Sequence, residues 1–86
     1  MTLIEFENLT SGQIIVFKYR NIKFFGKIIQ IYKTKHHPII IEDIKNPGWQ
    51  NCLTIFKDTI YKDIKSSIHT YENLYFLTQE EKLELL

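Results

Sequence analysis

The chain has 86 residues, 44% of them hydrophobic, and a net charge of +1. That length sustains one modest core and excludes a second, and the apolar fraction excludes a disordered chain. No apolar run reaches membrane-spanning length, the N-terminus lacks the basic-then-apolar order of a signal peptide, and the single cysteine, Cys52, excludes an internal disulfide. The expectation is one cytoplasmic domain spanning residues 1–86. Fifteen isoleucines and twelve aromatic residues lean its composition toward strand.

Thr10-Ser11-Gly12-Gln13 reads as a turn that opens a strand over 14–20. Its alternation places Ile15, Phe17 and Tyr19 on one face, and Ile14, Val16 and Lys18 on the other. Arg20-Asn21 makes a tight connection to a long strand over 22–32. That strand begins with Ile22, Phe24, Gly26 and Ile28 inward, and its apolar register then slips to Ile29 and Ile31. A phase slip beside a strand glycine predicts a bulge or sharp bend, the device that closes small barrels.

Residues 33–38 form a polar loop, and 39–44 a β-branched strand. Lys45-Asn46-Pro47-Gly48 reads as a type II turn, and 52–57 as a further strand. Residues 58–71 carry Ile60, Tyr61, Ile64, Ile68 and Tyr71 at helical spacing, yet Thr59, Ile60, Ile64, Ile68 and Thr70 are β-branched. The reading favours strand, with a helix over about 58–70 as the alternative. A short strand over 74–77 is followed by Thr78-Gln79-Glu80-Glu81. This is a capping box that opens a two-turn helix with Leu83 and Leu86 as its docking stripe. Together these elements predict a mainly β fold, a small bent-strand antiparallel barrel with a short C-terminal helix; the alternative is an α+β fold. The expected core is Ile15, Phe17, Phe24, Ile28, Ile40, Leu53, Ile55, Ile64, Leu74 and Phe76.

Over residues 12–64 the chain resembles the Sm-like and SH3-like small barrels. Gly12-Gln13-Ile14-Ile15-Val16 is similar to their opening strand, 22–28 to the bent second strand with its internal glycine, and 39–43 to the third. Phe56-Lys57-Asp58-Thr59 stands where Sm-like proteins carry a basic residue and glycine. The base-holding loop residues of that family are absent from 33–38, so the resemblance implies architecture and not RNA binding.

No catalytic constellation is present. Cys52 lies in an apolar run and reads as an inert thiol, and the three glycines are too scattered to cradle phosphate. His36 and His37 are adjacent, His69 is isolated, and all three read as solvated, so neither a metal nor a cofactor is expected.

Three binding functions remain. The first is a protein-interaction or regulatory module, such as an accessory or inhibitory protein, whose surface includes Trp49, Tyr32 and His37. Trp49 has two readings, a lid folded over the barrel mouth or an exposed anchor. The second is an unspecific nucleic-acid-binding protein. Between Asn8 and Ile41 there is no acidic residue, and Lys18, Arg20, Lys23, Lys27, Lys33 and Lys35 interleave with rings such as Phe25. With ten lysines and one arginine in the chain, base reading is not expected. The third is a small-ligand binder at an oligomer cleft. Strands 39–44 and 52–57 are apolar enough that self-association through a strand edge is expected as well.

Overall fold

In the computed structural model, residues 1–58 and 68–86 are described. Most of the ambiguous segment 58–71 therefore lies outside the described residues, Ile64 included.

The first element is one the sequence reading passed over. Thr2 Oγ1 accepts from the Glu5 N–H at 3.1 Å while Glu5 Oε1 accepts from the Thr2 N–H at 2.8 Å, a capping box that starts helix α1, Leu3–Glu7. A helix of five residues does not persist alone, and α1 is held by its one buried residue, Phe6.

Six strands follow: β1 Ile14–Tyr19, β2 Ile22–Ile31, β3 Ile39–Asp43, β4 Cys52–Phe56, β5 His69–Thr70 and β6 Leu74–Tyr75. The order in the sheet is β5-β4-β3-β2-β1-β6, antiparallel throughout except for β4 with β5. Its two end strands are joined by a single 3-10 turn, Tyr71–Asn73, so the sheet curls into a nearly closed barrel. Helix α2, Gln79–Glu84, comes last and starts at the capping box of Thr78 and Glu81, as expected. The fold class is thus the one the strand pattern predicts. Of the two strands expected to offer an edge, β3 is flanked by β2 and β4, and β4 by β3 and, at Ile55 and Phe56, by β5.

The bend in β2 has two causes. The pairing with β3 shifts register between Ile28 and Gln30, which leaves Ile29 as the extra, solvent-facing residue of a bulge. At Gly26 a Cβ would stand 3.1 Å from Ile41 Cδ1 and 3.2 Å from Ile41 Cβ, so the missing side chain lets Ile41 fold over the strand. A Gly26→Val variant is expected to lose about 1–3 kcal/mol of stability through overpacking, read as a lower urea midpoint.

The barrel interior is filled by Ile15, Phe17, Ile28, Ile41, Ile55 and Leu74, with Ile39 beside them. Five expected core residues are among these, while Phe24, Ile40 and Leu53 are half-buried. Two expectations need correction. Ile41 pairs with the inward-facing Ile28, so by alternation Ile39 and Ile41 point inward in place of Ile40. Phe76 is exposed because it lies one residue beyond the last paired position of β6.

The outer face carries a second buried pair, Val16 opposite Phe25. Lys23 and Tyr75 project from that same face and hold α2 over it. Glu81 Oε2 accepts from Lys23 Nζ at 2.7 Å and from the Tyr75 hydroxyl at 2.8 Å, and Glu81 Oε1 accepts from the Thr78 N–H at 2.9 Å. The ammonium of Lys23, then the Thr78 amide, lower the Glu81 pKa to about 2. The expected leucine stripe is therefore corrected. Leu83 and Leu86 are exposed, and α2 docks through a buried carboxylate.

Candidate binding site at the open mouth of the barrel

The two ends of the barrel differ. At one end α1 acts as a plug. The fully buried Phe6 ring meets His37 edge-on at 5.5 Å and Tyr71 at 6.0 Å, with Leu9 packed beside it. The loop between β2 and β3 closes around this plug: the His37 N–H donates to Thr34 O at 3.0 Å and the Lys57 N–H to His36 O at 3.1 Å. His36 Nδ1 and Asp58 Oδ1 are 2.8 Å apart. His37 adopts a left-handed φ of 46° and is only 7% exposed, with Nε2 buried and unpartnered. Burial, followed by the charge of Lys33, holds its imidazole below the ordinary value. The expectation of solvated histidines, and of His37 as a contact residue, is corrected: this ring belongs to the plug.

Among the described residues, the opposite end is open. Here the apolar pattern of the β1–β2 hairpin continues to its tip, where Tyr19 pairs with Ile22 and Phe17 with Phe24. Phe17 and Phe24 lie 5.1 Å apart at the floor, and His69 stands edge-on to Phe17 at 4.8 Å and to Tyr19 at 4.9 Å. Phe17, Phe24 and His69, with Ile22, Leu53 and the loop before β4, line a cavity of about 250 Å³. His69 Nδ1 is buried without a partner, and burial keeps this imidazole below its ordinary value too.

Trp49 stands beside this mouth on a loop that is tied at both ends. The Gly48 N–H donates to Glu42 Oε2 at 3.1 Å, Asn51 Nδ2 to Asn46 O at 2.8 Å, and the Asn51 N–H to Gly48 O at 2.9 Å. Gly48 has φ 148° and ψ 151°, a conformation that side-chain-bearing residues rarely adopt and that differs from the expected type II turn. The chain leaves it into a 3-10 turn, Trp49–Asn51, with the indole 86% exposed. Of the two readings of Trp49, the lid is overturned.

The other expected contact residues are scattered. Tyr32 is half-exposed near the plugged end, away from Trp49. Phe25 is only 5% exposed, paired with Val16 beneath α2 and approached by Lys45 Nζ at 4.9 Å, so its expected outward role in base stacking is corrected. Among the cations, Lys23 is engaged by Glu81, Lys18 lies directly opposite Lys23, and Lys27 lies opposite Glu42. Arg20 sits at the hairpin tip with its guanidinium 5.1 Å from the Tyr19 ring centroid. Lys33 and Lys35 are exposed in the loop at the plugged end, beyond the ten residues of β2. The basic block of the sequence is therefore divided between the two ends of the barrel.

Sequence reasoning missed Ile22, Phe24 and His69 as mouth residues. An available signal was the apolar pair Tyr19–Ile22 at a hairpin tip, where polar residues are the norm. Among the described residues no group of three His, Cys, Asp or Glu side chains is placed to hold a metal ion. Cys52 is a half-buried free thiol, its pKa raised by burial. No described helix is long and apolar enough to cross a membrane. Compared with protein-family models, curated proteins and solved structures, the chain matches none.

Proposed function

We propose that the protein is a non-catalytic interaction module that docks a protein partner at the open mouth of its barrel, with Trp49 as the anchor. The observation that carries this reading is the indole, 86% exposed on a tied loop beside an apolar cavity that no described residue fills. A tryptophan side chain buries about 150–250 Å² on contact, worth roughly 4–6 kcal/mol before the costs of association. The tied loop lowers those costs because it is ordered before a partner arrives. A regulatory or inhibitory role fits such a surface, and the likeness to SH3-like and Sm-like barrels agrees with it as an analogy of fold alone. The nucleic-acid reading has less support, since Phe25 is buried and the lysines are divided or paired.

The test is selection of displayed peptides on the immobilised protein and on a Trp49→Ala variant, with oligothymidylate binding measured at low and high salt. Trp49→Ala is expected to weaken the selected peptides at least tenfold while shifting folding stability by no more than about 0.5 kcal/mol. Peptide binding unchanged in Trp49→Ala would reject the mouth as the docking surface. Salt-sensitive oligothymidylate binding lost on changing Lys18 and Lys33 to Glu would return the reading to nucleic acid.

A further inference from the structure

We infer that the mouth receives one aromatic side chain, a tyrosine or tryptophan, carried by an acidic peptide segment of the partner. This rests on the mouth being the docking surface and names its occupant. Size comes first. Pockets for drug-sized small molecules run to about 300–1,000 Å³. A cavity of about 250 Å³ falls below that range and suits a single large side chain.

The walls then choose the kind of side chain. Phe17 and Phe24 form a tilted pair at the floor, and His69 meets Phe17 with its plane turned by 84°. No hydrogen bond holds the His69 ring at Nδ1, and its desolvated imidazole is neutral at neutral pH. With Phe17 only 1% exposed behind them, the half-buried Phe24 and His69 rings are what a flat guest meets, in the offset and edge-to-face arrangements that aromatic pairs prefer. Gln50 and Asn51 bring amide groups to the same cavity, where a phenol or indole needs a polar partner for its O–H or N–H.

Charge selects the flanking residues. At the hairpin tip beside the mouth, Lys18 and Arg20 have no carboxylate partner among the described residues, whereas Lys23 is neutralised by Glu81. Asp43, the acidic residue lining the cavity, accepts from the Lys45 N–H at 3.0 Å and so is turned to its own chain. Arg20 is stacked on Tyr19 and thus held at the rim. What the tip offers a partner is the positive charge of Arg20 at the rim of an aromatic-lined hole, with Lys18 on the outer face of the same hairpin, complementary to carboxylates beside a ring.

Fluorescence anisotropy of three labelled nonapeptides tests this: one tyrosine between acidic flanks, the same peptide with alanine for tyrosine, and tyrosine between lysine flanks. The acidic tyrosine peptide is expected to bind the wild type at least tenfold more tightly than either of the others. Ile22→Asp should weaken it at least tenfold, and Lys18→Glu with Arg20→Glu should invert the preference between acidic and basic flanks. All three positions are exposed, and circular dichroism checks that the variants fold. Equal binding of the alanine peptide, equal or tighter binding of the basic peptide, or no binding in the millimolar range would each overturn the inference. Displacement of the acidic peptide by oligothymidylate would overturn it too, in favour of a polyanion site. If displayed peptides depend on Trp49 but carry neither ring nor acid, the mouth stands as docking surface and only the occupant is wrong. If the acidic tyrosine peptide binds undiminished to both Ile22→Asp and Trp49→Ala, the mouth itself is wrong.

Discussion

Acidification from about pH 7 to about pH 5 is expected to destabilise the fold, beginning near the ordinary histidine value of 6.5. His37 at the plug and His69 at the mouth each bury a ring nitrogen that has no hydrogen-bond partner. Burial lowers both pKa values, so as the pH falls through 6.5 the unfolded chain takes up protons before the folded chain does. Stability is then fully present above 6.5 and lost as the pH falls below it, with a limiting slope of about 1.4 kcal/mol per pH unit for each histidine.

Glu81 acts in a separate and lower window. Its lowered pKa contributes stability that is present above the ordinary carboxylate value of 4.5 and is lost as the pH falls toward about 2. Urea midpoints measured across pH would show the two windows apart. His37→Asn, which tolerates the left-handed backbone, and His69→Phe, which keeps the edge contacts, should each flatten the upper one. A double variant that kept the full slope would clear the histidines of this role.

Phe6→Ala should cost about 3–5 kcal/mol, the range for deleting a buried aromatic ring. Phe6 is fully buried, it is the one residue α1 contributes to the core, and its ring closes the end of the barrel against His37 and Tyr71. With the ring gone, a five-residue helix has nothing to hold it, and the unpartnered Nε2 of His37 opens to water. The contrast with Trp49→Ala is sharp, because that larger ring is already 86% exposed. Urea unfolding of both variants reads the difference directly, and hydrogen exchange at α1 and at His37 should rise only in Phe6→Ala. A loss below about 1 kcal/mol would mean that α1 does not plug the barrel.

The residues themselves determined whatever rests on neighbours along the chain. Alternation in Ile14–Tyr19 set the inner and outer faces of β1, the phase slip after Gly26 marked the bulge, and Thr78 with Glu81 placed the start of α2. The same local signal stood at Thr2 and Glu5, legible but passed over. Tertiary structure decided which of those faces is covered, because burial depends on what arrives from elsewhere in the chain. Phe25 is hidden since α2 is clamped over the outer face through Lys23 and Tyr75, and the same clamp removes Lys23 from the basic surface. Ile41 and not Ile40 enters the core because the pairing of β3 with β2 sets Ile41 opposite the inward-facing Ile28. Trp49 is exposed because contacts to Glu42 and Asn46 fix its loop in a conformation that turns Gln50 and Asn51, and not the indole, to the cavity. Periodicity along a strand carries none of these, since each is a contact between segments whose meeting only the closed sheet brings about.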